Sequence, residues 1–215
     1  MKIKHLGLIP DGNRRWAKEH GMTKRAAYDL FSDHICNIIL AVNELGIEML
    51  TVYVVSKENL ARNNQDIEDV MQSVSIMLDQ KLPPIVKNLH VQIRCIGIDV
   101  IDNKEFIKTA RKIEEDSHSN NGMIVNLLIG YNPIDEINKI VSQGQKVCIN
   151  NLSIPKSVDL LIRTAGRPIR LSNFLPLQCG YANIEVLESK FLDTSCESIK
   201  AIIDKYQEIE PNYGK

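Results

Sequence analysis

Segments with the periodicity of strands alternate with segments of helical periodicity along this chain, and the alternation restricts the folds open to it. Short, mainly apolar runs favour strands at 3–9, 49–55, 91–98, 124–131, 158–163 and 182–187. Apolar residues spaced by threes and fours indicate helices within 28–45, 67–78, 104–116, 134–141 and 199–209. The order predicts an α/β fold: a single domain over residues 1–215, with a mostly parallel central sheet and helices on both faces.

Glycine and proline mark two of the predicted helix ends. Gly46 is expected just after the first long helix, where the missing Cβ permits a left-handed backbone. Pro83 and Pro84 are expected to stop the second long helix, because proline lacks the amide proton of a helical hydrogen bond. The stretch 142–156 carries neither periodicity strongly and is predicted to be a loop that crosses the surface.

Composition argues against several classes of protein. The formal net charge of −1 gives no electrostatic reason to bind nucleic acid, and no apolar run approaches the roughly 20 residues of a transmembrane segment. The five cysteines have no CxxC spacing and do not cluster with histidines, so zinc ligation is not indicated. Buried, reduced thiols are expected, as is a cytoplasmic protein without a signal peptide.

Polar clusters follow three of the predicted strands, at the sheet edge where open α/β folds bind ligands. The first cluster is the turn 10–16, with the sequence PDGNRRW. Gly12 would allow a ligand to approach the backbone closely, Asn13 can donate a hydrogen bond, and the two following arginines suit an anion such as phosphate. Asp11 either forms an ion pair with Arg14 or Arg15, or holds a hard cation that bridges phosphate oxygens.

The second and third clusters are also open to two interpretations. Residues 56–62 (SKENLAR) either supply polar groups to a site or are merely solvated, with Asn63 or Asn64 capping the next helix. Residues 163–173 carry three arginines within eight positions, together with glycine and proline, and so form a loop. This loop either binds a diphosphate or carries solvated surface charge. Two arginine-bearing loops at one sheet edge indicate two anionic groups held side by side.

The three clusters carry a resemblance to a known family. Residues 5–17 (HLGLIPDGNRRWA) resemble the first motif of the cis-prenyltransferases, the family of undecaprenyl diphosphate synthase, and residues 56–59 (SKEN) resemble the second. Residues 159–166 (DLLIRTAG) and 170–175 (RLSNFL) resemble the late motif. The order and spacing agree over nearly the whole chain, to within one inserted residue near Pro168, so the chain is identified as a member of this family.

The resemblance implies the cis-prenyltransferase fold with a hydrophobic tunnel, a homodimer, and Mg²⁺-dependent chemistry on prenyl diphosphates. Asp11 would be catalytic as the Mg²⁺ ligand on an allylic diphosphate, and Ser56 and Asn59 would lie where the acceptor loses its proton. A second diphosphate, that of isopentenyl diphosphate in chain-elongating members, would bind to the loop 163–173. The implied substrate-binding residues are Gly12, Asn13, Arg14, Arg15, Trp16, Lys24, Tyr28, Glu58, Arg62, Arg163, Arg170, Ser172 and Asn183.

The chain departs from the family pattern mainly on the side of the second diphosphate. Asn183 stands where the family has a glutamate that helps to hold Mg²⁺, and an amide brings no charge to a hard-cation site. Glu185, two residues further on the same face of the strand, is the alternative carboxylate. The C-terminal Arg-x-Gly reads NYG at 212–214, Arg167 or Pro168 replaces an acid, and Leu60 replaces a tryptophan. The stretch 24–31 (KRAAYDLF) lacks the family's histidine and glycines.

These departures predict an allylic site that is kept and an isopentenyl site that is eroded. Some resemble the irregular branch of the family, which includes cyclolavandulyl diphosphate synthase and also has Arg-Arg-Trp and a tyrosine near Tyr28, although it keeps the late glutamate. The predicted function is a condensation or rearrangement of short allylic diphosphates, such as dimethylallyl or geranyl diphosphate, with release of diphosphate. Three alternatives are a diphosphate-releasing terpene synthase, an ordinary cis-polyprenyl diphosphate synthase, and a non-catalytic accessory subunit of a prenyltransferase.

Overall fold

The predicted strands form one sheet in which every pair of neighbours is parallel. A computed structural model describes residues 2–61, 64–166 and 169–208, and these contain six strands in the spatial order β3-β4-β2-β1-β5-β6. The predicted α/β fold with a parallel sheet is confirmed. The strands are β1 (His5–Ile9), β2 (Met49–Ser56), β3 (Gln92–Ile96), β4 (Ile124–Tyr131), β5 (Leu160–Arg163) and β6 (Asn183–Val186).

The strand order reverses at β1, and this reversal positions a binding crevice. The chain first builds the sheet on one side of β1, through β2, and later adds β5 and β6 on its other side. Ligands of open α/β sheets bind beyond the carboxyl ends of the strands at such a switch point. Within the described residues the connecting α-helices are α1 (Asn13–Glu19), α2 (Lys24–Glu44), α3 (Lys57–Leu60), α4 (Asn64–Ile76), α5 (Leu82–Leu89), α6 (Lys104–Ser117), α7 (Pro133–Ser142) and α8 (Cys196–Gln207).

Helix ends follow the sequence at Gly46 but not at the prolines. Gly46 lies two residues beyond α2 with a φ of +68°, as predicted. The prediction that the helix stops before Pro83 is wrong, because the backbone continues from α4 through a π-helical turn (Met77–Lys81) into α5. Pro83 and Pro84 lie in the first turn of α5, directly after the π-helical turn, so the N–H groups that proline lacks coincide with an interruption of the regular α-helical hydrogen bonds.

The sheet separates two apolar cores. The larger core joins Leu6, Leu8 and Val52 to the inner faces of α2, α4, α5, α6 and α8. On the opposite face, Ile9 and Leu161 pack under the irregular segments 152–158 and 171–182. The helices therefore concentrate on one face, and apolar side chains without helical periodicity cover much of the other, which differs from the predicted layers. No helix in the described part of the chain is long and apolar enough to cross a membrane.

Two minor predictions have mixed outcomes. The stretch 142–156 is mostly exposed loop with one short 3₁₀ turn (Ile149–Asn151), as predicted. Of the cysteines, all free thiols, Cys36, Cys95 and Cys179 are buried as expected, whereas Cys148 is exposed and Cys196 is half-buried.

Candidate active site

A cavity of about 340 Å³ opens at the carboxyl ends of β1, β2 and β5, where the strand order reverses. We call it the central cavity. Ten of the residues singled out in the sequence line it: Asp11, Gly12, Asn13, Arg14, Arg15, Tyr28, Ser56, Asn59, Arg163 and Ser172. The fold thus brings together parts of all three polar clusters, as the common position of the strand ends predicts.

Asp11 forms an ion pair with Arg163 across the central cavity. The distance from Arg163 Nη2 to Asp11 Oδ2 is 2.6 Å, and the Arg163 side chain is only 13% exposed. The expectation that Asp11 pairs with Arg14 or Arg15 is therefore wrong. The parallel register places Ile9 opposite Arg163, so that Asp11 extends directly over the end of β5. Arg163 also donates to Ser172 Oγ at 3.1 Å and to the Arg170 carbonyl oxygen, which fixes the late loop against β5.

Gly12 is required for contact between two parts of the protein. Its φ is +105°, and a Cβ at this position would lie 2.9 Å from the Cβ atoms of both Ala165 and Lys190. The close approach predicted for a ligand is thus made to protein side chains. Arg15 Nη2 donates to the Ala165 carbonyl oxygen at 3.2 Å, so the first and third clusters are joined here as well.

Asp66 is a cavity residue that the sequence did not single out. It is buried at the start of α4, accepts a hydrogen bond from Lys24 Nζ, and lies 3.6 Å from Arg14 Nη1. The hydrogen bond from Lys24 holds the pKa of Asp66 below its ordinary value. From the sequence alone, an acidic residue in the first turn of a helix indicates only a favourable interaction with the helix dipole. In the fold, Asp66 orients two cations beside the central cavity, where an anionic ligand would compete with it for them.

The second cluster has mainly structural contacts. Ser56 ends β2, and its Oγ accepts a hydrogen bond from the backbone N–H of Asn59 at 3.2 Å, which caps the short helix α3. Glu58 does not line the central cavity. Its carboxylate accepts hydrogen bonds from the side chains of Asn132 (2.7 Å) and Asn173 (3.0 Å) and so links the loops after β2, β4 and β5. Burial alone would raise the pKa of Glu58, but these hydrogen bonds and those of Ser56 and its own backbone lower it.

Several predicted residues lie apart from the central cavity. Trp16 Nε1 donates to Asp193 Oδ1 at 2.6 Å, and its ring stacks on His20. Asn183 is the first residue of β6 and lies opposite Leu160, whereas Arg163 lies opposite Val186 at the other end of the strand. Its side chain donates to the Asp159 carbonyl oxygen, at the amino ends of the strands and away from the central cavity. Four further predicted residues lie outside the cavity lining: Lys24, Glu58, Arg170 and Glu185. Lys24 pairs with Asp66, and Arg170 is exposed. The Glu185 carboxylate accepts a hydrogen bond from the Tyr206 hydroxyl at 2.7 Å.

Some predictions concern positions outside the described residues. These are the phosphate-binding role of Arg62, the helix cap at Asn63, the replaced acid at Arg167 or Pro168, the inward Ile209 and the C-terminal NYG at 212–214. The side chain of Asn64 is likewise not described.

The inner end of the central cavity is apolar. Tyr28, Phe31, Val54 and Val70, all buried, form its floor, and of these only Tyr28 was singled out in the sequence. A second groove of about 580 Å³ lies beyond Ile67, which lines both spaces. Its apolar residues are Leu60, Ile67, Met71, Val100, Ile101 and Phe106, and its charged residues are Glu68, Asp102 and Glu105. These two spaces are where the predicted hydrophobic tunnel would lie, and a continuous tunnel stays a prediction.

Two side chains of the central cavity carry oxygen atoms of the kind that bind Mg²⁺. Asn13 Oδ1 is buried and has no hydrogen-bond partner among the described residues, and donation from Asn13 Nδ2 to the Pro10 carbonyl oxygen at 2.9 Å fixes which end of the amide is free. Asp11 supplies a half-exposed carboxylate on the same wall. No cluster of three or more acidic, histidine or cysteine ligands occurs in the described ranges. Mg²⁺ is commonly bound by one or two carboxylates together with substrate phosphates, so these residues fit an ion that arrives with a diphosphate.

The chain is similar to prenyltransferases of one family over nearly its whole length. A prenyltransferase family model, described as undecaprenyl diphosphate synthase, matches residues 9–214. The isoprenyl transferase of Campylobacter jejuni is 31% identical over 223 residues, which cover 100% of this chain and 99% of that protein. The isoprenyl transferase of Lactobacillus johnsonii is 30% identical over 234 residues, covering 99% of this chain and 97% of the relative.

Two solved structures share the fold over the whole chain. A probable undecaprenyl diphosphate synthase from Campylobacter jejuni has a TM-score of 0.81 at 28% identity, covering 100% of both chains. The lavandulyl diphosphate synthase of Lavandula x intermedia, solved in complex with dimethylallyl diphosphate, has a TM-score of 0.89 and covers 100% of this chain and 99% of that one. At 24% identity the second likeness is one of fold alone.

Proposed function

Because this chain belongs to the undecaprenyl diphosphate synthase family of prenyltransferases, we propose that it joins short allylic prenyl diphosphates in a Mg²⁺-dependent condensation that releases diphosphate. The observation that carries the proposal is the Asp11–Arg163 pair at the centre of a cavity that is cationic at its mouth and apolar at its floor. Such a cavity matches a ligand with an anionic head and a hydrocarbon tail.

The cations support two diphosphate positions. Arg14 and Arg15 lie at the start of α1, on the side of Asn13, and would hold the allylic diphosphate. Arg163 and Ser172 lie on the β5 side of Asp11 and would hold the second diphosphate. An anion bound on either side would be in contact with guanidinium groups, whose forked donors match phosphate oxygens.

The buried floor and the small volume of the central cavity support short substrates. Phe31 and Val70 are at least nine-tenths buried, and Phe31 is held by an edge-to-face contact with Phe191 at 5.4 Å between ring centroids. The cavity volume of about 340 Å³ is at the small end of ligand pockets. A fold neighbour was solved in complex with dimethylallyl diphosphate, a ligand of the size that the central cavity favours.

The proposed reaction balances within this site. The allylic carbon–oxygen bond of the first substrate breaks, and its electron pair leaves with diphosphate. The double bond of the second substrate supplies the electrons of the new carbon–carbon bond, and the acceptor then loses a proton. Arg14, Arg15 and Arg163 would stabilise the charge on the departing group. When bound, Mg²⁺ would offset the same charge, with Asp11 and Asn13 as its ligands from this chain.

Ser56 and Asn59 would orient the acceptor. Both line the cavity wall at the end of β2, where the resemblance to the family places loss of the proton. Neither side chain is a base near neutral pH, so the released diphosphate, a strong anionic acceptor, would take the proton.

We further propose a homodimer. Exposed apolar side chains concentrate in the late half of the chain, and two of them, Tyr181 and Ile184, lie at or beside the edge strand β6. An uncovered apolar strand edge favours association with another chain. Light scattering at micromolar concentration should give a dimer for the wild type and a monomer for Ile184→Asp. A monomeric wild type would contradict the proposal.

Product analysis tests the proposed reaction. The protein is incubated with dimethylallyl, geranyl or farnesyl diphosphate, each with and without isopentenyl diphosphate, and the products are identified by mass spectrometry. We expect short condensed products that retain one diphosphate, with dimethylallyl or geranyl diphosphate as substrate and little gain from isopentenyl diphosphate. Efficient formation of long chains from farnesyl and isopentenyl diphosphate would contradict the short-chain assignment and favour a cis-polyprenyl diphosphate synthase.

A further inference from the structure

Two buried tyrosines on neighbouring strands have different hydrogen-bonding states. Tyr131 ends β4, and its hydroxyl donates to Glu136 Oε2 at 2.8 Å. Tyr53 lies on β2, and its hydroxyl oxygen is buried without a hydrogen-bond partner among the described residues. A buried hydroxyl without a partner has a free-energy cost comparable to a lost hydrogen bond. The cost is avoided when a ligand supplies the partner.

Tyr53 is one of the residues that line the central cavity. Asp11, Arg163 and Ser172 line it as well, and Tyr53 is only 8% exposed. Its ring packs against Phe174, two residues beyond Ser172, with 5.7 Å between the ring centroids. This contact holds the ring between the sheet and the late loop and so fixes the position of the phenol oxygen.

The protonation state of Tyr53 makes it a donor. Burial raises the pKa of Tyr53, and the nearby carboxylates of Glu58 and Asp11 add to this effect, while the Ser56 hydroxyl opposes it. The phenol therefore keeps its proton near neutral pH and can donate it to an oxygen of a ligand. The nearby carboxylates are already engaged, Asp11 with Arg163 and Glu58 with Asn132 and Asn173.

We propose that the Tyr53 hydroxyl donates a hydrogen bond to an oxygen of the diphosphate held by Arg163 and Ser172. This inference rests on the proposed function and assigns Tyr53 to the second of its two diphosphate positions. A phosphate oxygen is the strongest acceptor that a prenyl diphosphate offers, and hydrogen bonds to charged acceptors are shorter and stronger than neutral ones. The neutral phenol adds a fixed donor without adding further positive charge beside Arg163.

The variant Tyr53→Phe tests this role, with Tyr131→Phe as the matched control. Each removes one buried hydroxyl, and of the two only the Tyr131 hydroxyl makes a hydrogen bond of ordinary geometry to a described residue. Inorganic diphosphate with Mg²⁺ is titrated into each protein by calorimetry, and thermal unfolding is measured without ligand. Tyr53→Phe should bind diphosphate at the position of Arg163 and Ser172 about 10- to 100-fold less tightly, with an unchanged or higher Tm. Tyr131→Phe should bind as the wild type does, with a lower Tm.

Each other outcome is decisive. Equal diphosphate affinity of Tyr53→Phe and the wild type would overturn the role of Tyr53 and leave the proposed function standing. A Tm loss in Tyr53→Phe as large as that in Tyr131→Phe would also overturn it, because the hydroxyl would then have a partner within the protein. No binding of diphosphate by the wild type would overturn the proposed function and this inference together.

Discussion

Arg163 Nη2 lies 2.6 Å from Asp11 Oδ2, although the two residues are 152 positions apart in the chain. The contact follows from the pairing of β1 with β5, which places the ends of the two strands side by side. Arg163 is mostly buried and also donates to the late loop, so it holds Asp11 in one place while part of its guanidinium group remains at the cavity. The pair therefore joins the first and late motifs in the lining of one cavity.

Gly12→Ala should destabilise the protein more than Gly21→Ala. Both glycines have positive φ, which costs an L-residue roughly 1–2 kcal/mol. A methyl group at Gly12 would in addition contact Ala165 and Lys190 at 2.9 Å, whereas at Gly21 it would meet nothing within 4 Å. Urea unfolding measures both variants. Equal losses of unfolding free energy would show that Gly12 is needed for its backbone conformation alone.

Phe31→Leu should lengthen the largest product. Phe31 lies at the floor of the central cavity, so a smaller side chain deepens the space for the hydrocarbon tail. Ile35→Val is the control, because Ile35 is buried one turn further along α2 and does not line the cavity. Mass spectrometry of products made from dimethylallyl and geranyl diphosphate compares the three proteins. The same product distribution in Phe31→Leu and the wild type would contradict the floor assignment.

The free energy of unfolding should fall on acidification through the titration range of His5. Burial lowers the pKa of His5 from 6.5 to about 4, against the raising effect of backbone hydrogen bonds. Between these values the unfolded chain binds a proton that the folded protein does not, so stability falls as the pH decreases and this contribution levels off below about 4. The shift corresponds to about 3 kcal/mol.

Urea unfolding from about pH 7 down to about pH 4 measures the effect. Glu48, whose pKa is lowered to about 2 by hydrogen bonds from Lys156 and Lys4, loses its stabilising contribution only below its ordinary pKa of 4.5. The variant His5→Asn should therefore lose much of the slope between pH 6.5 and 4.5. An unchanged slope in this variant would assign the acid sensitivity to other groups.

The strands and the strand-end position of the site could be predicted from the sequence, because they depend on local patterns. The apolar runs of β1 and β2 reflect burial on both faces of a parallel sheet, and every residue of both strands is buried. The polar turns after these strands follow the rule that ligands bind at carboxyl ends.

The partners of the site residues could not be predicted in the same way. An ion pair of Asp11 with Arg14 or Arg15 was one of two alternatives, and strand order instead brings Arg163 to it. Asp66 resembles an ordinary first-turn acid until tertiary packing places Lys24 beside it. Asn183 matches a motif position, yet strand register places it at the far edge of the sheet, and its role in substrate binding stays a prediction.

Release of diphosphate by Asp11→Asn tests the account most directly. Three proteins are incubated with dimethylallyl diphosphate and Mg²⁺: the wild type, Asp11→Asn and the control Glu44→Gln. The control removes the charge of an exposed acid that is paired with Lys200. The wild type and the control should release diphosphate at similar rates and lose activity in EDTA. Asp11→Asn should be slower by about 100-fold or more and should still fold, because the asparagine side-chain oxygen can accept a hydrogen bond from the mostly buried Arg163. Release by Asp11→Asn at a rate near that of the wild type would contradict the assignment of this cavity as the active site.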